Sequence, residues 1–441
     1  MSVLPLTHSA FAAANSAVRR PPVDSSRANL VLNRFRVAVL ALTLVWGNAA
    51  SAAAQTTGVP DGGPDPASVR MRVGPLWMAP RLELENFGVD TNVFNEPDDQ
   101  NPKRDFTFTL TPKMDMWLRM GRSWLRFTIA EDLVWYQQYS SQRSANSHYD
   151  LSWRLPLNRL ALTVSPTYLS TNERPGFEID ARIHHTEWGG NGSLDVRAFP
   201  KTSFGITGSY RDITFDDSAV YEGTNVAHEL DRTEATAGVT VSHDLTPLTK
   251  VVFSATQERD RFKNGPLRDS DSTSVTGSVA FDPHALLKGG ASFGFRDFRP
   301  LDSSLGGYRG LIASGDLTYT LLGATRFQVQ FGRDVQYSYD VNQPYYLQTG
   351  VNGSIAQQIF GPFDAIARAG TARLAYQDRA DTLVGVANRV DYNHTYGGGL
   401  GYHFSSGLRV GFNVDYFNRI TDVQQRRYTG LRYGASTTYD F

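Results

Sequence analysis

The sequence has no cysteine in its 441 residues, which excludes disulfides, thiolate metal sites and a lipid-bearing N-terminal cysteine. It has no excess of charge: 43 Lys and Arg balance 44 Asp and Glu, for a net charge of −1. A nucleic-acid partner, which calls for a basic surface, is therefore not expected. It has no long apolar run. Past residue 55 nothing approaches the roughly 20 apolar residues of a membrane helix, and the mean hydropathy is below zero. It has no HExxH, phosphate-binding glycine loop or Asp/Asn calcium loop, so no motif for a metal or a phosphate-bearing cofactor is in view.

One short apolar run does occur. Val37–Trp46, ten residues, follows Arg34 and Arg36, and the small residues around Ala52 and Ala54 come after it. Ten residues are too few to cross a bilayer, and the flanks are those of a secretory signal peptide cleaved near Ala54. Residues 1–33, with Pro5, Pro21 and Pro22, read as an N-terminal extension. Residues 1–54 are thus expected to be extension and signal peptide, 55–75 a Gly/Pro-rich periplasmic linker, and 76–441 one folded unit. An exported chain with 39 glycines and 12% aromatics but no membrane helix points to transmembrane strands, half of whose positions face water.

The stretch Tyr428–Phe441 shows the strand pattern clearly. Leu431, Tyr433, Ala435, Thr437, Tyr439 and Phe441 share one parity, and Arg432, Gly434, Ser436, Thr438 and Asp440 the other. An apolar, aromatic face opposite a small, polar one marks a strand between two unlike surroundings. Phe106, Phe108, Leu110, Met114 and Met116 alternate in the same way with Thr107, Thr109, Thr111, Lys113 and Asp115, as do Leu408–Tyr416 with their neighbours. Short separators such as Met120–Ser123, Phe199–Thr202, Leu322–Thr325 and Phe404–Gly407 alternate with longer polar ones near residues 172–181, 216–227, 339–346 and 419–428. Eight short turns and nine longer loops predict an all-β fold: a transmembrane antiparallel up-and-down β-barrel of about 18 strands, 16–18 in range, with periplasmic turns and extracellular loops. Three charges break the pattern: Arg333 shares parity with Val329 and Phe331, Arg368 with Ile366 and Leu374, and Glu131 with Phe127 and Leu133.

The polar parity carries both signs of charge. The lumen-lining candidates are Lys113, Arg126, Arg154, Arg197, Arg211, Arg296, Arg409 and Arg432, with Asp115, Asp132, Asp195, Glu258, Asp260, Asp391 and Asp415. Two arrangements are open: opposed ladders that set a field across the lumen and filter polar solutes, or charges that pair along the wall. About eighteen strands leave an aqueous channel unless something fills it; the longest candidate fillers are the first loop, Gly88–Asp105, and the linker.

An enzyme is the weaker reading. His184 and His185 are adjacent in a strand and so point to opposite faces, which keeps them from sharing one metal. The carboxylates of Asn95–Asn101 fit a solvated loop better than a calcium site. No cofactor or metal is expected.

Pro80–Phe94, PRLELENFGVDTNVF, followed by Phe108–Met116, FTLTPKMDM, resembles the opening of an outer-membrane β-barrel porin family of Gram-negative bacteria. Asp90, Asn92, Val93, Phe94 and Pro112 match its pattern, while Val89 stands where an aromatic is expected. Tyr439 and Phe441 resemble the C-terminal signal read by the barrel-assembly machinery. The resemblance implies a cell outer-membrane location and a passive channel for polar solutes. Members often accompany capsule or exopolysaccharide export systems, so it also implies a link to a polysaccharide or a periplasmic export partner. The alternatives are a structural or adhesive barrel with an occluded lumen and, less favoured, an outer-membrane enzyme.

Overall fold

The computed structural model describes residues 63–64, 69–282, 285–380, 385–404 and 407–441. The expected extension and signal peptide, most of the linker, and His284 lie outside the described residues.

Eighteen long strands form one antiparallel ring. They are β1 Leu76–Asp90, β2 Asp105–Met120, β3 Ser123–Tyr136, β4 Ser144–Pro156, β5 Leu160–Glu173 and β6 Ile183–Phe199. There follow β7 Thr202–Phe215, β8 Arg232–Thr246, β9 Thr249–Phe262, β10 Ser270–Phe281, β11 Leu287–Pro300 and β12 Tyr308–Leu321. The ring ends with β13 Thr325–Tyr337, β14 Tyr345–Phe360, β15 Phe363–Gln377, β16 Val390–His403, β17 Leu408–Ile420 and β18 Tyr428–Asp440. Each pairs with the next, and β18 returns to β1 through pairs such as Leu82↔Tyr439 and Val89↔Tyr433. Closure leaves no strand edge for lipid to meet, the condition for a sheet to cross a membrane. A strand of 13 residues such as β18, at ~3.3 Å per residue and a tilt of about 40°, rises roughly 33 Å. That covers a hydrocarbon core of about 30 Å.

The faces are inverted relative to a water-soluble protein. Phe253, Ile206, Val239 and Phe293 are 58–62% exposed, whereas Thr240, Thr276, Ser274 and Ser292 on the opposite parity are buried. The inward row is therefore the polar one. Aromatics gather near the strand ends: Phe360, Phe363, Tyr402 and Phe404 meet in succession, tilted or edge to face, at the periplasmic end, where Tyr439 and Phe441 meet edge to face at 4.6 Å. Interfacial girdles of this kind suit rings that are partly apolar and partly wet.

The three pattern-breaking charges resolve differently. Arg368 points inward, and so do Ile366 and Leu374; the outer row of β15 is Ala365, Ala367, Ala369, Thr371 and Arg373, and Leu374 is fully buried inside. Here apolar parity marks packing within the barrel rather than lipid. Glu131 does face outward, but its carboxylate accepts from the Tyr149 and Ser147 hydroxyls. Arg333 also faces outward. The expected linker is partly structured: Met71–Val73 pairs with Leu76–Met78, folding back at Gly74, whose φ of +57° a side chain would resist. Val226–Leu230 is an α-helical turn in an extracellular loop.

Candidate functional site: the lumen and its extracellular closure

The inner wall is lined with charge, but the charges are neighbours rather than opposed ladders. Lys113 meets Glu83 at 2.8 Å, and Arg126 donates to Asp115 at 2.7 Å, beside the Thr128 hydroxyl. Arg211 bridges Glu234 at 2.6 Å and Glu187 at 2.9 Å. Arg296 lies between Glu258 and Asp334, the latter at 3.0 Å. Asp260 accepts from the Tyr337 hydroxyl at 2.7 Å and from Ser270 at 3.2 Å. Arg409 donates to Asp364 at 2.6 Å, Arg368 to Asp415 at 2.8 Å, and Arg432 to Asp90 at 2.6 Å. Asp391 accepts from Arg389 at 2.9 Å. Arg154, Asp132 and Asp195 sit on the same inward rows, and Arg197 is exposed near the periplasmic turn. Half of these ion pairs join adjacent strands, and those of Arg296, Arg368 and Arg409 reach across one intervening strand. At such range each cation's field is largely cancelled by its partner, so the wall is polar without a strong transverse field. Sequence reading named both members of Arg126–Asp115 and Arg296–Glu258 but missed one partner of most other pairs, because Glu83, Asp90, Glu187, Asp334, Asp364 and Arg368 are brought beside theirs only by strand register and ring curvature. Arg211, Arg232, Glu234, Glu258, Asp260, Arg296 and Tyr337 also line a polar cavity of about 30 Å³.

The extracellular mouth is built differently. The loop between β5 and β6 turns inward at Gly176, whose φ is +88°, and crosses the lumen. Phe177 packs against Tyr346, Ala372, Leu374 and Tyr376 on β14 and β15. In a ring of eighteen strands, β14 and β15 are nine places from β5 and β6, so the loop tip reaches the opposite wall. Ile179, next but one, joins Ile183, Ile213, Phe215, Val226, Leu230 and Tyr339 in a second cluster. Apolar packing thus spans the mouth of a barrel whose inner wall is otherwise polar.

Polar contacts lock the loop in place. Glu178 accepts from the Ser338 hydroxyl at 2.6 Å and the Tyr339 amide at 3.2 Å. Asp180 pairs with Arg419, with Arg426 at 3.7 Å, and accepts from Asn95 at 3.0 Å and the Tyr221 hydroxyl at 3.2 Å. The upper part of the β13–β14 hairpin leans in to meet it. The β12–β13 ladder stops at Ala313↔Arg333, above which Val335 and Tyr345 pack with Phe298 inside the ring. Burial drives the Glu178 carboxyl above its ordinary value, more strongly than Arg426 and Arg389 lower it. Burial pushes Asp180 up as well, but Arg419 and Arg426 outweigh it and hold the carboxyl below the ordinary range. Of the two fillers expected from sequence, the first loop contributes at the margin through Asn95 and through the Val93 carbonyl, which accepts from Arg174 at 2.7 Å. The main filler, residues 174–182, carries a signal in the sequence: Phe177 and Ile179 are apolar residues inside an otherwise polar loop.

The model of the family described as "Putative beta-barrel porin 2" matches residues 65–441. The chain belongs to this family of β-barrel porins. The porin therefore resides in the outer membrane, with its longer loops outside the cell. Among solved structures, it is similar to OccAB4 of Acinetobacter baumannii at 8% identity and TM-score 0.44, over 86% of this chain and 100% of that one. It is similar to opdK of Pseudomonas aeruginosa at 8% identity and TM-score 0.43, over 82% and 98%. A BenF-like porin from Pseudomonas fluorescens Pf-5 gives 10% identity and TM-score 0.45, over 84% and 100%. No curated protein matches the chain.

The histidines do not act as a pair: His185 lies 3.7 Å from Glu187 on the inner wall, and its neighbour points away. His185 is buried and stacks on Phe215, whereas His184 faces outward beside Ser170. In the Asn95–Asn101 stretch Asp98 accepts from the Thr429 amide and hydroxyl, and Glu96 pairs with Lys103. Among the described residues no group of side chains is arranged to hold a metal ion.

Proposed function

We propose that this porin is a gated channel for small polar solutes, with no catalytic step, whose closed state is the one described. The observation that carries the reading is the residue 174–182 loop laid across the lumen and packed on the far wall. A loop held by side-chain contacts, rather than by covalent or strand pairing, can undock while the ring stays intact. Passage is then passive: solutes move along a wall of neutralised ion pairs and hydroxyls, which favours polar molecules without strong selection by charge sign.

Planar-bilayer recording tests this. The wild type is expected to open in rare, brief steps. A variant with residues 175–181 replaced by a short Gly/Ser turn is expected to show sustained, larger conductance. Silence from the folded variant would support a structural or adhesive barrel instead.

A link to polysaccharide export, implied by family resemblance, has one supporting feature. Trp77, Trp117 and Trp124 cluster on the inner wall at the periplasmic end, with Trp77 and Trp124 edge to face at 5.8 Å. Indole faces suit the apolar faces of sugar rings. Oligosaccharide block of the loop-shortened channel, weakened in Trp77→Ala, is the expected outcome. The signal peptide of residues 1–54, delivery to the barrel-assembly machinery through Tyr439 and Phe441, and a periplasmic export partner belong to the same reading.

A further inference from the structure

We propose that the outer wall of this porin holds a phosphorylated lipid of the outer leaflet, with Arg333, Thr349 and Arg373 as the headgroup site. The three residues form one outward cross-strand row: Arg333 lies opposite Thr349, and Thr349 opposite Arg373. Two guanidiniums are thus two strands apart, about 10 Å at the backbone, with a hydroxyl between them. Arg333 Nη1 donates to Thr349 Oγ1 at 2.7 Å, and its Nε donates to the Leu311 carbonyl at 3.1 Å, where the β12–β13 ladder has ended. Arg373 has no carboxylate partner among the described residues.

Lipid-facing arginines are disfavoured, so two in one row call for a reason. Arg333 is eight residues above Thr325 and Arg373 ten above Phe363. At ~3.3 Å per residue and a tilt near 40° they sit roughly 20–25 Å above the periplasmic turns, at the upper limit of an apolar band about 25 Å tall. That is the level of outer-leaflet headgroups. The surrounding wall agrees in sign. Just above, Asp297 is shared by Arg299 and Arg309, which leaves a cation in excess. On β1–β8, by contrast, the outward formal charges are Glu131 and Asp212.

The site selects a lipid over a free anion. Directly below it the wall is apolar: Val329 and Val351 are 41% and 45% exposed, and they offer acyl chains a surface. A guanidinium fork matches phosphate oxygens in a way that an ammonium does not. Dissolved phosphate gains nothing from the apolar surface.

The test uses the full folded porin in uncharged detergent. Retained lipid is measured by native mass spectrometry with diphosphorylated lipid A, with the same lipid stripped of phosphate, and with inorganic phosphate as competitor. Wild type is expected to retain lipid A and to discriminate against the stripped form. Arg333→Gln with Arg373→Gln is expected to weaken retention about tenfold or more. Arg373→Gln alone, which removes no wall contact, is expected to weaken it in part, while Arg104→Gln on the first loop leaves it unchanged. Equal retention by the double variant, or equal retention of the stripped lipid, overturns the site. Displacement by millimolar inorganic phosphate overturns the choice of a lipid.

Discussion

Glu178 and Asp180 are two residues apart in one buried loop, yet their carboxyls are displaced in opposite directions. For Glu178 the docked loop raises the affinity for a proton, so its contribution to docking is complete below the ordinary value of 4.5 and is lost as pH rises through the raised one. For Asp180 the contribution is present above the ordinary value of 3.8 and is lost only as pH falls through the lowered one. Docking is therefore tightest between the two ordinary values, 3.8 and 4.5, and weakens as pH rises toward the raised Glu178 value or falls toward the lowered Asp180 value. As pH falls from above the raised Glu178 value toward that window, open probability in bilayers is expected to fall, and in Glu178→Gln that dependence is expected to flatten. Arg419→Gln would strand the Asp180 carboxylate away from water. Such a loss costs about 3–5 kcal/mol and is expected to appear as easier loop release, read as longer openings. A rise in closed time would contradict it. None of this could be read from NERPGFEID alone, since partners such as Tyr221 and Arg419 lie 41 and 239 residues away.

At the scale of elements, strands and turns were legible because period two and Gly- or Pro-bearing turns are local. Met120–Ser123 and Phe199–Thr202 fall where the sequence places them. β15 shows where locality fails. Its apolar parity faces Phe177 inside the ring, and its alanine parity faces lipid, so the same alternation fits either orientation until the loop is placed. Leu374→Ala should leave a void under Phe177. Buried Leu→Ala changes cost about 2–5 kcal/mol; here the loss is expected in loop docking, seen as faster proteolysis within residues 174–182 with the barrel's heat-modifiable gel mobility unchanged. Unfolding of the whole ring instead would show that loop and wall do not act separately.

For the whole molecule, the decisive property is which side of the ring is dry. Val239 and Thr240 are adjacent at mid-strand, one exposed on the outside and one buried within. Val239→Arg is expected to destabilise the barrel by ~2–4 kcal/mol in lipid-based unfolding, whereas Thr240→Ser stays within about 0.5 kcal/mol. Equal effects would remove the distinction between faces on which the membrane assignment depends.

Alternation of side chains and turn spacing were enough to determine a closed outer-membrane barrel, because each is written in residues a few positions apart. Tertiary structure alone decided that the wall's charges pair with neighbours and that a loop closes the mouth. Both depend on strand register and ring closure, which bring together groups that no local pattern connects.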